Sequence, residues 1–207
     1  TLPAKLRFIF TRPAFWFLSL GYVICGFTTT GVVKVHLLPY AALSGYAPLT
    51  GATAYGLLAA FNLVGMLLAG WLADRVRRPA LLASIYALRA LTFVLLMFIS
   101  GDVSLLFLFA VVFGMLDFAT VPVLASLVAS HLGVRVMGLT MGMMLASHSL
   151  GGALGAFLGG WLYDLFGRYD WVWTISLVLA IVAALLSLCI RAEPPQAGRA
   201  GPVPAAA

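Results

Sequence analysis

The sequence predicts an all-α integral membrane protein with six transmembrane helices, arranged as two inverted repeats of three helices. Of the 207 residues, 63% are hydrophobic and only 9% are charged, whereas a soluble domain usually has about 25% charged residues. The mean hydropathy is +1.10. Six long apolar runs each approach the roughly 20 residues that a helix needs to cross a bilayer. Transmembrane β-barrels use alternating segments of about ten residues, and these runs are longer and do not alternate.

The predicted spans cover residues 14–38, 50–72, 79–100, 103–129, 136–162 and 170–191. Pro13 and Pro79 suit the first turn of a helix, and Pro39 is expected to end the first span. Short turns are expected around Gly45, Gly101 and Gly167. The resulting organisation is a cytoplasmic lead-in at 1–13, a first three-helix repeat at 14–100, a second at 101–192, and a Pro- and Ala-rich cytoplasmic tail at 193–207 that is expected to be disordered.

The basic residues predict the orientation. With the N-terminus inside, the inner segments hold nine Lys and Arg residues, and the outer loops hold only Arg168. Because basic loops resist translocation, both termini are predicted to be cytoplasmic, with the protein in the inner membrane. The net charge of +6 does not indicate a nucleic-acid partner, since the basic residues lie between apolar runs. Because the chain begins at Thr1, we expect it to be processed or cut from a longer protein.

A ten-residue segment occurs twice in the chain. GWLADRVRRP at 70–79 is followed ninety residues later by GWLYDLFGRY at 160–169. Without a gap, Gly70, Trp71, Leu72, Asp74 and Arg78 match Gly160, Trp161, Leu162, Asp164 and Arg168. Gly65 also matches Gly155. Each copy ends the second span of a three-span set, so the two copies lie on opposite sides of the membrane. This predicts an inverted-topology repeat, a common build of secondary transporters.

The motifs carry a family resemblance. Gly70-x-Leu72-x-Asp74-Arg75-x-x-Arg78 resembles the cytoplasmic signature of the major facilitator superfamily in its second-half version. His36-Leu37-Leu38-Pro39 and the run at 147–155 resemble bacterial members of the monocarboxylate and organic-anion type. Residues 5–193 therefore resemble the C-terminal six-helix half of such a transporter. Where animal members often carry an Asp and an Arg before the signature, this chain has Asn62 and Met66.

The resemblance implies a function and partners. It implies alternating access for small organic anions such as monocarboxylates, with proton coupling, in a bilayer. It also implies a partner, which is either a missing N-terminal six-helix half or a second copy of the chain. By the same resemblance, the loop at Gly70, Asp74, Arg75 and Arg78 is a conformational latch, with Asp74 near Arg135 at the start of the fifth span. The alternative is a six-span scaffold or self-associating half that does not transport.

Ionisable residues inside spans are costly and are therefore candidates for function. Arg89 lies about 15 Å along the third span and is either a counter-charge for an anionic substrate or part of a structural ion pair. Asp117 either pairs with Arg89 or with an Arg of the loop, or carries a coupling proton. Lys34 either extends to the outer interface or belongs to a substrate-facing stripe with Tyr22, Gly26 and Thr30.

Three further polar residues complete the candidate site. His148 lies near the middle of the fifth span and can titrate near neutral pH, so it is a candidate for substrate binding or proton coupling. It shares a face with Gly151, Gly155 and Gly159, whose spacing predicts close helix packing, so it is alternatively a packing residue. Tyr55 and Asn62, seven residues apart on the second span, are expected to form a facing polar patch.

We expect no enzyme activity, cofactor or metal. The sequence contains no phosphate-binding loop and no HExxH motif. Ser147, His148 and Ser149 are neighbours on a helix, and adjacent residues do not face each other. Cys25 and Cys189 lack metal-ligand spacing and are expected to be buried small hydrophobic residues.

Overall fold

The computed structural model describes residues 1–191. Within that range the chain is helical and has no strand. A short helix, α1 (Leu2–Phe10), precedes six helices that are long and apolar enough to cross a membrane. They are α2 (Pro13–Leu43), α3 (Pro48–Ala73), α4 (Arg78–Leu96), α5 (Val103–His131), α6 (Val134–Phe166) and α7 (Asp170–Leu188). The predicted count of six spans is confirmed, and the tail predicted at 193–207 lies outside the described residues.

The prediction that Pro39 ends the first span is wrong, because α2 continues through Pro39 to Leu43. A proline inside a helix removes one backbone hydrogen bond without always ending the helix. Here a contact with α4 stabilises the last turn, because the Tyr40 hydroxyl donates to the Leu96 carbonyl at 2.6 Å. The helix stops at Ser44, before Gly45 with a φ of 85°.

In each triplet of helices, the second span packs against the first span of the other triplet. The second span of the first triplet, α3, packs against the first span of the second triplet, α5. Reciprocally, α6 packs against α2, and the two third spans, α4 and α7, pack against each other. This reciprocal exchange is what two inverted repeats related by a pseudo-two-fold axis produce.

Glycines allow the two crossings to be close. A Cβ at Gly65 of α3 would overlap the backbone of Met115 in α5, and one at Gly155 of α6 would overlap the backbone of Phe27 in α2. Gly65 and Gly155 are equivalent positions of the sequence repeat. One turn before Gly155, Gly151 lies equally close to the backbone of Val23. Small residues let helix backbones approach in a membrane, so the same device serves both crossings.

Two apolar clusters fill the interior, and the buried charges lie between them. One cluster holds Ile9, Leu18 and Leu127 near the end of the bundle where the chain begins. The other holds Leu37 and Phe109 toward the opposite end. Arg89 and Asp117, both buried, therefore lie in the middle of the bundle.

Candidate functional site

The middle of α2 departs from α-helical geometry. Residues Phe27–Val33 form a π-helical segment, a rare conformation that often marks functional positions. The Thr28 hydroxyl donates to the Ile24 carbonyl at 2.9 Å, and the Thr29 hydroxyl donates to the Cys25 carbonyl at 2.8 Å. These two hydroxyls donate hydrogen bonds to backbone carbonyls at the start of the π-helical segment. Lys34 is the first residue after this segment.

The middle of α5 is also irregular, and Pro122 explains why. The helix divides into Val103–Asp117 and Thr120–His131. Pro122 has no N–H to donate to the carbonyl of Phe118, and its ring crowds that carbonyl. The Val121 N–H donates to the Phe118 carbonyl instead, at 3.1 Å. Asp117 is therefore the last residue of a helix segment whose final carbonyls lack intrahelical partners.

These two irregular segments hold the buried ion pair. Lys34 Nζ lies 3.1 Å from Asp117 Oδ2, and the two side chains are 24% and 3% exposed. Asn62 Nδ2 of α3 donates to the same carboxylate oxygen at 3.2 Å. Lys34 Nζ also lies 4.5 Å from the centre of the Phe118 ring. Lys34 lies nine residues, or about 14 Å, before the end of α2, and it pairs with Asp117 at that level of the helix.

Arg89 contacts the backbone of α5 and not the Asp117 carboxylate, so the alternative in which these two side chains form an ion pair is wrong for this conformation. Its Nη2 donates to the carbonyls of Leu116 and Asp117 at 2.6 and 3.0 Å. Its Nη1 donates to Cys25 Sγ at 3.1 Å. A cation at the C-terminal end of a helix segment is favoured by the helix dipole. Arg89 is 0% exposed, so in this conformation it serves as a cap on the broken helix.

The remaining predicted residues lie around this group. Asn62 is buried, and its Oδ1 has no hydrogen-bond partner within residues 1–191. Tyr55 is half-buried near the start of α3 and packs against the apolar cluster that contains Leu37 and Phe109. The His148 ring is half-buried, with its centre 4.7 Å from that of Tyr22 at the crossing of α6 and α2. The structure thus brings Lys34, Asn62 and Asp117 together, and within residues 1–191 no hydrogen bond joins Tyr55 or His148 to them.

The polar contact between α2 and α6 continues toward the opposite end of the bundle. His36 Nε2 lies 3.1 Å from the Ala156 carbonyl, and Nδ1 lies 3.3 Å from the Tyr169 hydroxyl. A neutral ring that donates through Nε2 and accepts through Nδ1 satisfies both contacts. Burial, with a smaller effect of Tyr163 and Asp164, raises the pKa of the Tyr169 phenol and so keeps it a donor. A Cβ at Gly159 would collide with the His36 ring, so this glycine provides the space for His36.

The signature loop caps the end of α3. Arg75 Nη1 donates to the Trp71 carbonyl at 2.9 Å, and its guanidinium lies 4.0 Å from the centre of the Trp71 ring. Arg78 Nε donates to the Ala73 carbonyl at 3.2 Å. Asp74 is exposed and forms no ion pair among residues 1–191, so the predicted contact with Arg135 is absent in this conformation.

Gly70 links this loop to the broken helix. A Cβ built on Gly70 would lie 3.7 Å from the Cβ of Pro122. The last turn of α3 therefore runs beside the break in α5. In the second copy of the motif, Arg168 pairs instead with Asp170 at 3.4 Å, and both side chains are exposed.

Sequence reasoning missed two residues at the site and misjudged a third residue elsewhere. Pro122 lies in the middle of a run that was predicted as one uninterrupted span, although an internal proline is itself a signal of a break. Cys25, one of the two cysteines, is buried as expected and accepts from Arg89. Cys189 is exposed, because it follows α7 at the end of the bundle. The expectation that both cysteines are buried is therefore wrong for Cys189.

Six membrane-spanning helices in two exchanged triplets, around a buried ion pair, define a multi-pass membrane protein built like half of a secondary transporter. The family model of the Major Facilitator Superfamily matches residues 1–144 and, in a second match, residues 64–206. The chain belongs to this superfamily.

Curated relatives agree with this assignment. The chain is 27% identical over 177 residues to the "Uncharacterized MFS-type transporter YcxA" of Bacillus subtilis (strain 168), which covers 83% of the chain and 42% of that protein. It is 32% identical over 148 residues to Monocarboxylate transporter 13 of Rattus norvegicus, over 70% of the chain and 33% of that protein. It is 29% identical over 198 residues to Monocarboxylate transporter 11 of Homo sapiens, over 92% of the chain and 42% of that protein. The chain therefore spans less than half the length of these relatives.

Proposed function

We propose that this chain is the C-terminal half of a secondary active transporter that moves small organic anions, such as monocarboxylates, together with protons across the inner membrane. The observation that carries the proposal is the buried pair of Lys34 and Asp117. It joins the first spans of the two repeats at the point where each helix is irregular. The names of two relatives, both monocarboxylate transporters, support the substrate class.

The pair suggests how a proton and an anion would be coupled. In the present conformation the Asp117 carboxylate neutralises the Lys34 ammonium. A proton on Asp117 removes that counter-charge and leaves Lys34 as an unpaired cation, which is costly inside a membrane. A substrate carboxylate that binds Lys34 restores neutrality. The proton and the anion then favour each other's binding, which is the thermodynamic requirement for symport.

The other candidate residues have supporting roles in this proposal. Asn62 orients the Asp117 carboxylate and offers its free Oδ1 as a hydrogen-bond acceptor beside the pair. Tyr55, on the same helix, would line the approach to Lys34. His148 is a second titratable side chain for substrate or proton. Arg89, enclosed by backbone carbonyls, would act on substrate only in another conformation.

Alternating access requires a partner, and the burial of the spans indicates where it would lie. Within the described chain, only 22% of an apolar 18-residue stretch of α3 and of α6 is buried, compared with 61% for the corresponding stretch of α2. We propose that α3 and α6 face the missing N-terminal half or a second copy of the chain. The loop at Gly70, Asp74, Arg75 and Arg78 would act as the conformational latch on the cytoplasmic side, where both termini would lie.

The test is uptake by the full-length protein that contains these residues, reconstituted in proteoliposomes. A panel of labelled short-chain monocarboxylic acids is supplied with and without an inward proton gradient. Asp117→Asn should lose the stimulation by the gradient but retain exchange, because a neutral side chain imitates the protonated acid. Lys34→Met should abolish uptake, because the anion loses its counter-charge.

The second ion pair of the described chain provides the matched control. Arg168→Met and Asp170→Asn alter an exposed pair outside the proposed site and should leave uptake unchanged. Two results would contradict the proposal. One is the absence of uptake across the whole acid panel, which would favour a membrane scaffold without transport. The other is an Asp117→Asn variant that still responds fully to the proton gradient.

A further inference from the structure

A second site lies far from the buried ion pair, at the end of the bundle where the chain begins. A cavity of about 480 Å³ opens between the start of α2, the end of α5 and the residues after α7. The residues that line it are Arg12, Pro13, Ala14, Phe17, His131, Cys189, Ile190 and Arg191. Along α2, Arg12 precedes Lys34 by 22 residues, or about 33 Å. The cavity is therefore separate from the proposed transport site.

The polar wall of the cavity is positively charged. Arg12 and Arg191 contribute two guanidinium groups, and within residues 1–191 no Asp or Glu lines the cavity. The Arg12 guanidinium lies 4.6 Å from the centre of the Phe8 ring, which restricts its position. The first turn of α2, at Pro13 and Ala14, adds the positive end of a long helix.

His131 ties one wall of the cavity to the end of α5. Its Nδ1 lies 3.0 Å from the Leu127 carbonyl, and its Nε2 lies 2.9 Å from the Arg191 carbonyl. Nδ1 also lies 3.1 Å from the Ser130 hydroxyl, which can donate to it, so a neutral ring that donates from Nε2 to the Arg191 carbonyl satisfies both nitrogens. The same bond to Arg191 fixes the chain after α7 against the end of α5. The cavity thus has a wall with two arginines, one just before α2 and one just after α7, and His131 at the end of α5 bonds to the backbone of the second.

The other wall is apolar and the site lies at the ends of the spans. Pro13, Ala14, Phe17 and Ile190 present hydrocarbon surface to the cavity. Its volume is in the range of small-molecule sites, which is roughly 300–1,000 Å³. A basic recess with an apolar wall, at the level of the membrane surface, matches a phosphate group attached to a glycerol backbone and acyl chains. We propose that this pocket binds the headgroup phosphate of an anionic phospholipid. This proposal does not depend on the proposed transport function.

The experiment measures lipid binding to the purified full-length protein. Delipidated protein in detergent is titrated with short-chain phosphatidylglycerol or phosphatidylcholine, and bound lipid is counted by native mass spectrometry. We expect one tightly held phosphatidylglycerol that phosphatidylcholine does not replace. In Arg12→Gln/Arg191→Gln the affinity for phosphatidylglycerol should fall about 10- to 30-fold, since two basic contacts to the phosphate are lost. The matched control, Arg77→Gln/Arg135→Gln, removes two exposed arginines outside the pocket and should bind like the wild type.

A second measurement covers the case in which the pocket variant fails to fold. Cys189 is exposed and lines the pocket, whereas Cys25 is buried. In the wild type, phosphatidylglycerol should slow the labelling of Cys189 by a maleimide, and phosphatidylcholine should not. Equal protection by both lipids, or equal affinity of the pocket variant and the control, would overturn the proposal. Glycerol 3-phosphate that protects Cys189 at the same concentration as the lipid would assign the site to a soluble phosphate and would also overturn it.

Discussion

Arg89 should stabilise the protein because Pro122 breaks α5. The guanidinium donates to the carbonyls of Leu116 and Asp117, which end the helix segment before the break. The perturbation that tests this is Arg89→Met, alone and combined with Pro122→Ala. An alanine at position 122 has an N–H for the Phe118 carbonyl, and it lets the Val121 N–H return to the Asp117 carbonyl.

The magnitude follows from the two hydrogen bonds at stake. Hydrogen bonds between membrane helices contribute about 0.6 kcal/mol on average and up to about 1.7 kcal/mol. Losing both donations, at 2.6 and 3.0 Å, should therefore cost about 1–3 kcal/mol of unfolding free energy. In the Pro122→Ala background, at least one carbonyl has a new backbone donor. Arg89→Met should then cost about 1 kcal/mol less, because an arginine without acceptors is a liability when buried.

The assay is reversible unfolding in mixed micelles of the four proteins that form this double-mutant cycle. Leu88→Met serves as the control, because Leu88 is the neighbouring residue on α4 and is 50% exposed. An equal cost of Arg89→Met in both backgrounds would refute the idea that Arg89 caps the break. A variant that keeps its stability but loses uptake would instead assign Arg89 to the substrate.

Two other predictions test the packing and the topology. Gly151→Leu should destabilise the protein by about 1–3 kcal/mol through overpacking against Val23, while Gly142→Leu on the same helix, with open space around it, should be neutral. A destabilisation of the same size at both positions would contradict the close crossing of α2 and α6. A membrane-impermeant maleimide should label Cys189 only after the cytoplasmic side is made accessible, and Cys25 should stay unlabelled in the folded protein. Labelling of Cys189 in intact cells would reverse the proposed orientation.

The features that depend on local sequence were predictable. Long apolar runs determine that the chain spans a membrane, and the match of residues 70–79 to 160–169 predicts the repeat. The structure adds that the repeated glycines, Gly65 and Gly155, occupy equivalent helix crossings. This agreement follows because a helix–helix contact that needs a small residue leaves a visible mark in the sequence.

The ion pairing was not predictable, since it depends on how each helix is rotated. The prediction that Tyr22, Gly26, Thr30 and Lys34 lie on one face of the helix requires a regular α-helix. A π-helical turn holds about one residue more than an α-helical turn and so rotates the later residues by about 100°. Consistent with this, Tyr22 and Gly26 are buried and Thr30 is exposed. The rotation decides which helix Lys34 faces, and only the three-dimensional structure shows it.

The effects of the prolines were also not predictable from the sequence alone. Pro39 is predicted to end a helix and does not. Pro122 lies in a run that is predicted as one continuous helix, and it breaks that helix. A proline always removes one N–H, but its effect depends on where the freed carbonyl finds a partner. At Pro122 the Phe118 carbonyl takes the Val121 N–H, and the Asp117 carbonyl accepts instead from Arg89, which lies on a different helix. The outcome is therefore a property of the tertiary fold.

The backbone of Asp117 is fixed by a hydrogen bond, whereas the proposed mechanism requires its side chain to change partners. Its carbonyl accepts from Arg89, while its carboxylate contacts Lys34 and Asn62. A proton on the carboxylate would release Lys34 without disturbing the contact to Arg89, because the two contacts use different atoms. Arg89 would then keep the break in α5 in place while the first spans of the two repeats lose the ion pair between them. The same break lies against Gly70, at the end of α3 that leads into the signature loop. We therefore expect that a change in the contact between α2 and α5 moves the proposed latch loop through the contact of Pro122 with Gly70. The hydrogen bonds of Arg89 to α5 would stay unchanged during this movement.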